Sequence, residues 1–174
     1  MIVSEPRFVH VLFISLISSQ SMVSVGDMAP DFELMANDKT MVRLSDSRGN
    51  NVVLLFFPAA FTGVCTKEMC TFSDSMNRLE EVEAEVFGIS VDGIFSNAAF
   101  ADANDISYPL LSDTNRIATN AYDVGISFVM PDYVASQRSV FVIDPNGMVT
   151  YSWIAENPGI EPNYEEVIGH LEEN

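Results

Sequence analysis

The chain has 174 residues, 48% of them hydrophobic and 19% charged, with a formal net charge of -17. That length and balance suit one domain with a sizeable core, while the acidity argues against nucleic acid and anionic membrane surfaces, which reward basic patches. Two cysteines cannot staple a small secreted scaffold, and with only His10 and His170 as companions they make a poor zinc site.

Residues Phe8 to Ile17 are apolar apart from His10 and Ser15, and they lie between Arg7 and a serine-rich stretch, as in a short signal peptide. No convincing small-residue cleavage site follows, and the stretch is too short to cross a bilayer as a helix. Met22-Val23-Ser24-Val25-Gly26-Asp27 reads as a domain start. Residues 1–21 are therefore expected to be a disordered extension or a start-site artefact, with a targeting peptide as the rival reading. Residues 22–174 are expected to be the folded domain.

Pro30 to Met35 alternates polar and apolar residues, and Met41 to Leu44 follows an Asn37-Asp38 turn, which predicts a small hairpin. Arg48 to Asn51 is the next turn. Val52 to Phe57 is a continuous run of β-branched, leucine and aromatic residues, as in a central strand buried on both faces. From Cys65 onward, Met69, Phe72, Met76 and Leu79 recur at helical spacing, and Glu80 to Glu85 closes the segment. Val86 to Val91 reads as a strand, and Ser96 is placed to cap a helix through Asn104. A short helix is expected over Asn115 to Tyr122. Ser139 to Ile143 and Met148 to Trp153 flank an Asp144-Pro145-Asn146-Gly147 turn and predict a hairpin. Val167, Ile168 and Leu171 share one face of a terminal helix. Alternating strands and helices imply an α/β sheet.

The segment Phe57-Pro58-Ala59-Ala60-Phe61-Thr62-Gly63-Val64-Cys65 leads from the central strand into the long helix. It puts Cys65 in the first helical turn, among unpaired N–H groups and the positive dipole end, where a thiolate is stabilised. The thiolate is the nucleophilic form of cysteine, so chemistry is expected to start at Cys65.

Pro58-x-x-x-Thr62-x-x-Cys65 resembles the active-site signature of the peroxiredoxins, and the fuller segment Phe56 to Cys65 is similar to their alkyl hydroperoxide reductase E-like branch. The likeness extends from about Val23 to Leu171. It includes Gly26-Asp27-x-Ala29-Pro30-Asp31-Phe32, Gly88-Ile89-Ser90, Pro109 to Asp113 and Arg138 to Asp144. The resemblance implies a thioredoxin-like fold, a central mixed β-sheet flanked by helices, and a thiol peroxidase that reduces hydrogen peroxide and organic hydroperoxides. It makes Cys65 the peroxidatic cysteine. Thr62 would bond the thiolate and the peroxide, Pro58 would shield the sulfur from water, and Arg138 would stabilise it. Taken singly, Pro58 as a strand end, Thr62 as a helix cap and Arg138 as an edge residue are ordinary features. Glu68 is either the glutamate that orients the arginine in many peroxiredoxins or simply an acid favoured by the helix dipole.

Cys70 matches the resolving position of the bacterioferritin comigratory protein branch, whereas the reductase E-like branch commonly works with one cysteine. In an intact helix, five residues separate Cα atoms by roughly 8.6 Å, and a disulfide rarely tolerates more than about 7 Å. A Cys65–Cys70 bond would therefore require the first helical turns to unwind; an incidental Cys70 is the alternative. The resemblance implies no metal, haem or flavin, a thioredoxin-like or small-thiol reductant, and a homodimer as a family expectation. Lys39 and Lys67 are the lysines among eight basic residues, and acids spread along the chain. That balance fits a salt-loving cytoplasm, or a merely acidic mesophilic protein. Two other functions remain open: a thiol–disulfide oxidoreductase of thioredoxin-like fold, although Cys-x-x-Cys is absent, and a non-catalytic binding domain with an inert thiol.

Overall fold

The computed structural model describes residues 22–173; the sequence expectations for residues 1–21 lie outside them. A seven-stranded sheet forms the centre. Its middle strand β3 (Asn51–Phe56) runs parallel to β4 (Ala84–Ser90) on one side and antiparallel to β8 (Ser139–Ile143) on the other. Beyond β4 lie β5 (Leu110–Ser112), β1 (Glu33–Ala36) and β2 (Met41–Arg43); beyond β8 lies β9 (Val149–Ile154). The sheet is thus mixed, and Val52 to Phe56 is buried because layers cover both of its faces.

The twofold alternation of the strands divides the core. Val52, Leu54, Phe56, Phe141 and Ile143 point to one face with Phe32, Leu44 and Tyr122. Val53, Leu55, Val140 and Val142 point to the other, where α1 (Gly63–Asp74) and α5 (Tyr164–Glu172) pack through Met69, Phe72, Val167 and Ile168. Gly88 of β4 sits under α1 at a close approach. A Cβ there would stand 2.5 Å from Leu110 Cδ2 and 3.4 Å from the Met69 sulfur.

Several boundaries differ from the sequence expectations for local reasons. The hairpin strand ends at Arg43, because the Ser45 N–H bonds the Asp31 carboxylate at 2.9 Å and Leu44 to Ser47 curl into a 3₁₀ turn. The long helix breaks at Ser75, whose hydroxyl donates to the Thr71 carbonyl, and α2 (Met76–Glu81) follows as a separate segment. Strand β4 then begins at Ala84, inside the stretch expected to close the helix. Helix α3 (Ile94–Ala103) is entered through Gly93, so Ser96 lies within its first turn and is not the cap. The short helix α4 (Ile117–Ala121) starts after Arg116, which takes a left-handed conformation at φ 57°. Asp113 caps it from a distance, accepting the N–H groups of Ile117 and Thr119 at 2.6 and 2.7 Å. Strand β5 and a separate ribbon of β6 (Gly125–Ser127) and β7 (Val134–Ser136) were not expected. At three residues each, they are too short for alternation to show.

Candidate active site

Strand β3 delivers the chain to Phe57 and Pro58, both buried, and the turn that follows is tight. Phe61 is left-handed at φ 61°, a conformation costly for a residue with a Cβ. Its ring meets Phe100 of α3 edge-on at 5.2 Å. Thr62 is the N-cap of α1 by its extended backbone, and its carbonyl accepts the Thr66 N–H at 2.9 Å. Its hydroxyl donates back to the Ala59 carbonyl at 3.1 Å rather than to Cys65, and its oxygen accepts no helix N–H.

Cys65 is the third residue of α1 and is 1% exposed. Arg138, also 1% exposed, precedes β8 and lies two residues before Val140, on the line that faces α1. Its Nη2 donates to Cys65 Sγ at 3.2 Å. Nη1 donates to Glu68 Oε2, and Nε and Nη2 reach the Pro158 carbonyl at 3.3 and 3.0 Å. One planar fork is thereby fixed by a carboxylate and a backbone oxygen while presenting an N–H to sulfur. Burial opposes the charge of Arg138, but Glu68 and Cys65 beside it hold its pKa above the ordinary value.

Glu68 is fully buried, and its second oxygen, Oε1, has no hydrogen-bond partner. Burial pushes its carboxyl up to about 7; Arg138 pulls the other way without cancelling it, and Glu161 adds to the rise. The segment carrying Pro158 is tied to α1 by Lys67 Nζ on Glu161 at 2.8 Å, and to α5 by the Tyr164 hydroxyl on the same carboxylate at 2.7 Å.

The structure thus brings Arg138 into direct contact with both Cys65 and Glu68, with Pro58 and Thr62 in the turn before them. Cys70 stands apart, half-buried on α1, its Sγ donating to the Asn104 carbonyl at 3.7 Å. Burial, then Asp74 and Asp105, raise its pKa above the ordinary thiol value. Both cysteines are free thiols. Pro158 was missed from sequence, since a backbone acceptor leaves no side-chain signature.

Residues 25–152 match the AhpC/TSA family. The chain belongs to that family. It is 35% identical to the chloroplastic 2-Cys peroxiredoxin BAS1 of Hordeum vulgare, over 85% of this chain and 73% of that one. It is 32% identical to the mitochondrial thioredoxin-dependent peroxide reductase of Drosophila melanogaster, over 90% of this chain and 70% of that one. Among solved structures, the peroxidoxin BcpB of Mycobacterium tuberculosis superposes with a TM-score of 0.78 at 33% identity, covering 87% of this chain and 97% of the other. The AhpC/TSA chain is a thiol-dependent peroxidase on a thioredoxin-like fold. Its sheet supplies the turn and α1 at the end of β3, and Arg138 at the start of β8.

Proposed function

We propose that Cys65 is the peroxidatic cysteine and that Arg138, Thr62 and Pro58 complete its site, a reading carried by the 3.2 Å contact between Arg138 Nη2 and a buried Cys65 sulfur. The thiolate attacks one peroxide oxygen in line with the O–O bond. An S–O bond forms, the O–O bond breaks, and the departing hydroxide or alkoxide takes a proton to become water or an alcohol. Negative charge passes from sulfur to the leaving oxygen, so donors placed between the two lower the barrier. Arg138 and the first-turn N–H groups of α1 face that charge. Thr62 joins them when its hydroxyl turns from Ala59 to the peroxide, and Pro58 keeps water from the sulfur. Glu68 holds the guanidinium in place.

The sulfenic acid left on Cys65 needs a thiol, and Cys70 is the internal one. Its sulfur attacks the sulfenic sulfur, closing a disulfide and releasing water. The two residues share the unbroken helix α1, so the bond needs that helix opened. Opening it strips the Tyr108 hydroxyl from the Met69 carbonyl, a 3.0 Å bond in the buried core. A thiol is mostly protonated at neutral pH and the thiolate is the attacking form, so disulfide closure should accelerate by up to about tenfold per pH unit through the neutral range.

Stopping the reaction with acid and measuring intact mass tests both steps. With equimolar hydrogen peroxide, the reduced protein should lose hydrogen as a disulfide, and Cys70→Ser should instead gain one oxygen on Cys65. Oxygen appearing elsewhere, or peroxide consumed with Cys65 unmodified, would sink the assignment. A wild-type mass that never shows the internal disulfide would remove Cys70 from the cycle.

A thioredoxin-like or small-thiol reductant then restores the dithiol, a proposal supported by the relative in Drosophila melanogaster that is named thioredoxin-dependent. Hydrogen peroxide and organic hydroperoxides are both proposed as substrates. A homodimer is proposed from the family likeness alone. No helix among the described residues is long and apolar enough to cross a membrane. A cytoplasmic place rich in salt is proposed from the net charge of -17, since at about 1 M salt the screening length of roughly 3 Å relieves self-repulsion. Residues 22–174 are proposed as the catalytic domain, with 1–21 dispensable to it.

A further inference from the structure

We propose that Asp92 is a positioning residue of the peroxide site, acting through the backbone of the turn that carries Thr62; this rests on the roles given above for Cys65 and Thr62. The Ala60 N–H donates to Asp92 Oδ2 at 2.9 Å, tying the turn to the residues that follow β4. The next residue, Phe61, is the left-handed one, and Thr62 comes directly after it. A backbone conformation that L side chains rarely adopt persists only where its surroundings over-determine it. Asp92 fixes the entry to that residue, and the edge contact of Phe61 with Phe100 fixes its ring.

The carboxylate is itself well referenced to the core. The fully buried Ser90 hydroxyl lies 2.9 Å from the same Oδ2, and Ser90 Oγ accepts the Asp92 N–H at 3.3 Å. Behind Ser90, at 3.2 Å, stands the Oδ1 of buried Asn97 in α3, whose amide donates to Ser112 Oγ of β5 at 3.3 Å. The turn is therefore held against Ser90 at the end of β4, with Asn97 of α3 the second acceptor within reach of the same hydroxyl proton, on the side of β3 away from Arg138. Arg138 and Glu68 position the sulfur; Asp92 positions the turn whose hydroxyl and N–H groups must line up with the peroxide.

This division of labour separates two reactions of the same thiol. Attack on peroxide needs in-line alignment with the turn's donors, whereas alkylation by iodoacetamide needs only the thiolate and access. On a Cys70→Ser background, in single turnover, Asp92→Ala should lower the second-order rate with hydrogen peroxide by about tenfold. Cys65 alkylation should stay within about twofold of the parent. Asp92→Asn keeps an acceptor oxygen for Ala60 and should recover most of the peroxide rate. Ser90→Ala, which leaves Asp92 but removes its support, should lower the peroxide rate alone by about threefold, and it carries the comparison if Asp92→Ala does not fold. An unchanged peroxide rate, a parallel fall in both reactions, or Asp92→Asn as impaired as Asp92→Ala would each overturn the proposal. A parent that consumes no peroxide would overturn the assignment of Cys65 as well.

Discussion

Arg138→Met should slow peroxide consumption by about a hundred- to a thousandfold, the loss expected when a donor is removed from charge that develops in the transition state. Methionine fills much of the same volume with a flexible apolar chain but offers no N–H. Cys65 loses the donor at 3.2 Å, and the leaving oxygen loses the only guanidinium that touches this sulfur among the described residues. Arg138→Lys should recover only part of the rate. A single ammonium cannot bond Cys65, Glu68 and the Pro158 carbonyl in one plane as the fork does. Stopped-flow measurement of peroxide loss gives the rate, with Cys65→Ser setting the background. An Arg138→Met rate within tenfold of wild type would remove Arg138 from the transition state.

The same substitution separates catalysis from stability. Above about pH 7, where Glu68 is ionised beside the arginine, removing Arg138 leaves its carboxylate fully buried with neither oxygen partnered, and breaking a buried pair costs up to about 3 to 5 kcal/mol, less what uptake of a proton relieves. Neutralising the survivor relieves that cost, so Arg138→Met with Glu68→Gln should unfold at higher urea than Arg138→Met alone. Its peroxide rate should stay low, because glutamine gives nothing back to the sulfur. A double variant that recovered activity along with stability would mean the arginine acts on the fold and not on the reaction.

How much of this was readable from sequence depends on the kind of signal each part carries. The central strand was visible because Val52 to Phe57 is apolar on both faces, and the candidate site segment because Pro58, Thr62 and Cys65 stand at fixed spacing. Arg138 was reachable by the family likeness, and the alternation with Val140 and Val142 explains why it faces α1. Glu68 carried two readings in the sequence; full burial against Arg138 goes beyond what a helix-dipole acid requires, since such an acid can stay in solvent. The Pro158 carbonyl and the left-handed backbone of Phe61 have no residue code, and Asp92 meets the turn through an N–H 32 positions away in sequence. The Ser96 cap was misplaced for a related reason. Gly93 enters the helix by backbone shape without a side-chain bond, and the serine pattern was the louder signal.

Glu68 also gives the fold a pH dependence with a definite sign. Its carboxyl is raised in the folded chain, from 4.5 to about 7, chiefly by burial against the opposing pull of Arg138. The folded state therefore holds this proton more tightly than the unfolded state does. The stabilisation from that proton is complete below the unfolded value and is lost as pH rises through the folded one. Across that window the wild type should lose about 3 kcal/mol relative to Glu68→Gln, which has no proton to lose. The amide substitution carries its own cost, since an NH₂ group replaces a carboxylate oxygen in the core; that cost is a constant offset and leaves the slope untouched. Urea unfolding of both proteins at intervals between pH 4.5 and about 7 measures the difference directly. Parallel stability curves would mean that the pairing with Arg138 fully offsets the burial of Glu68, and that the carboxylate is ionised throughout. Diverging curves would mean that the guanidinium beside Cys65 shares its charge with Glu68 only in the upper part of the range.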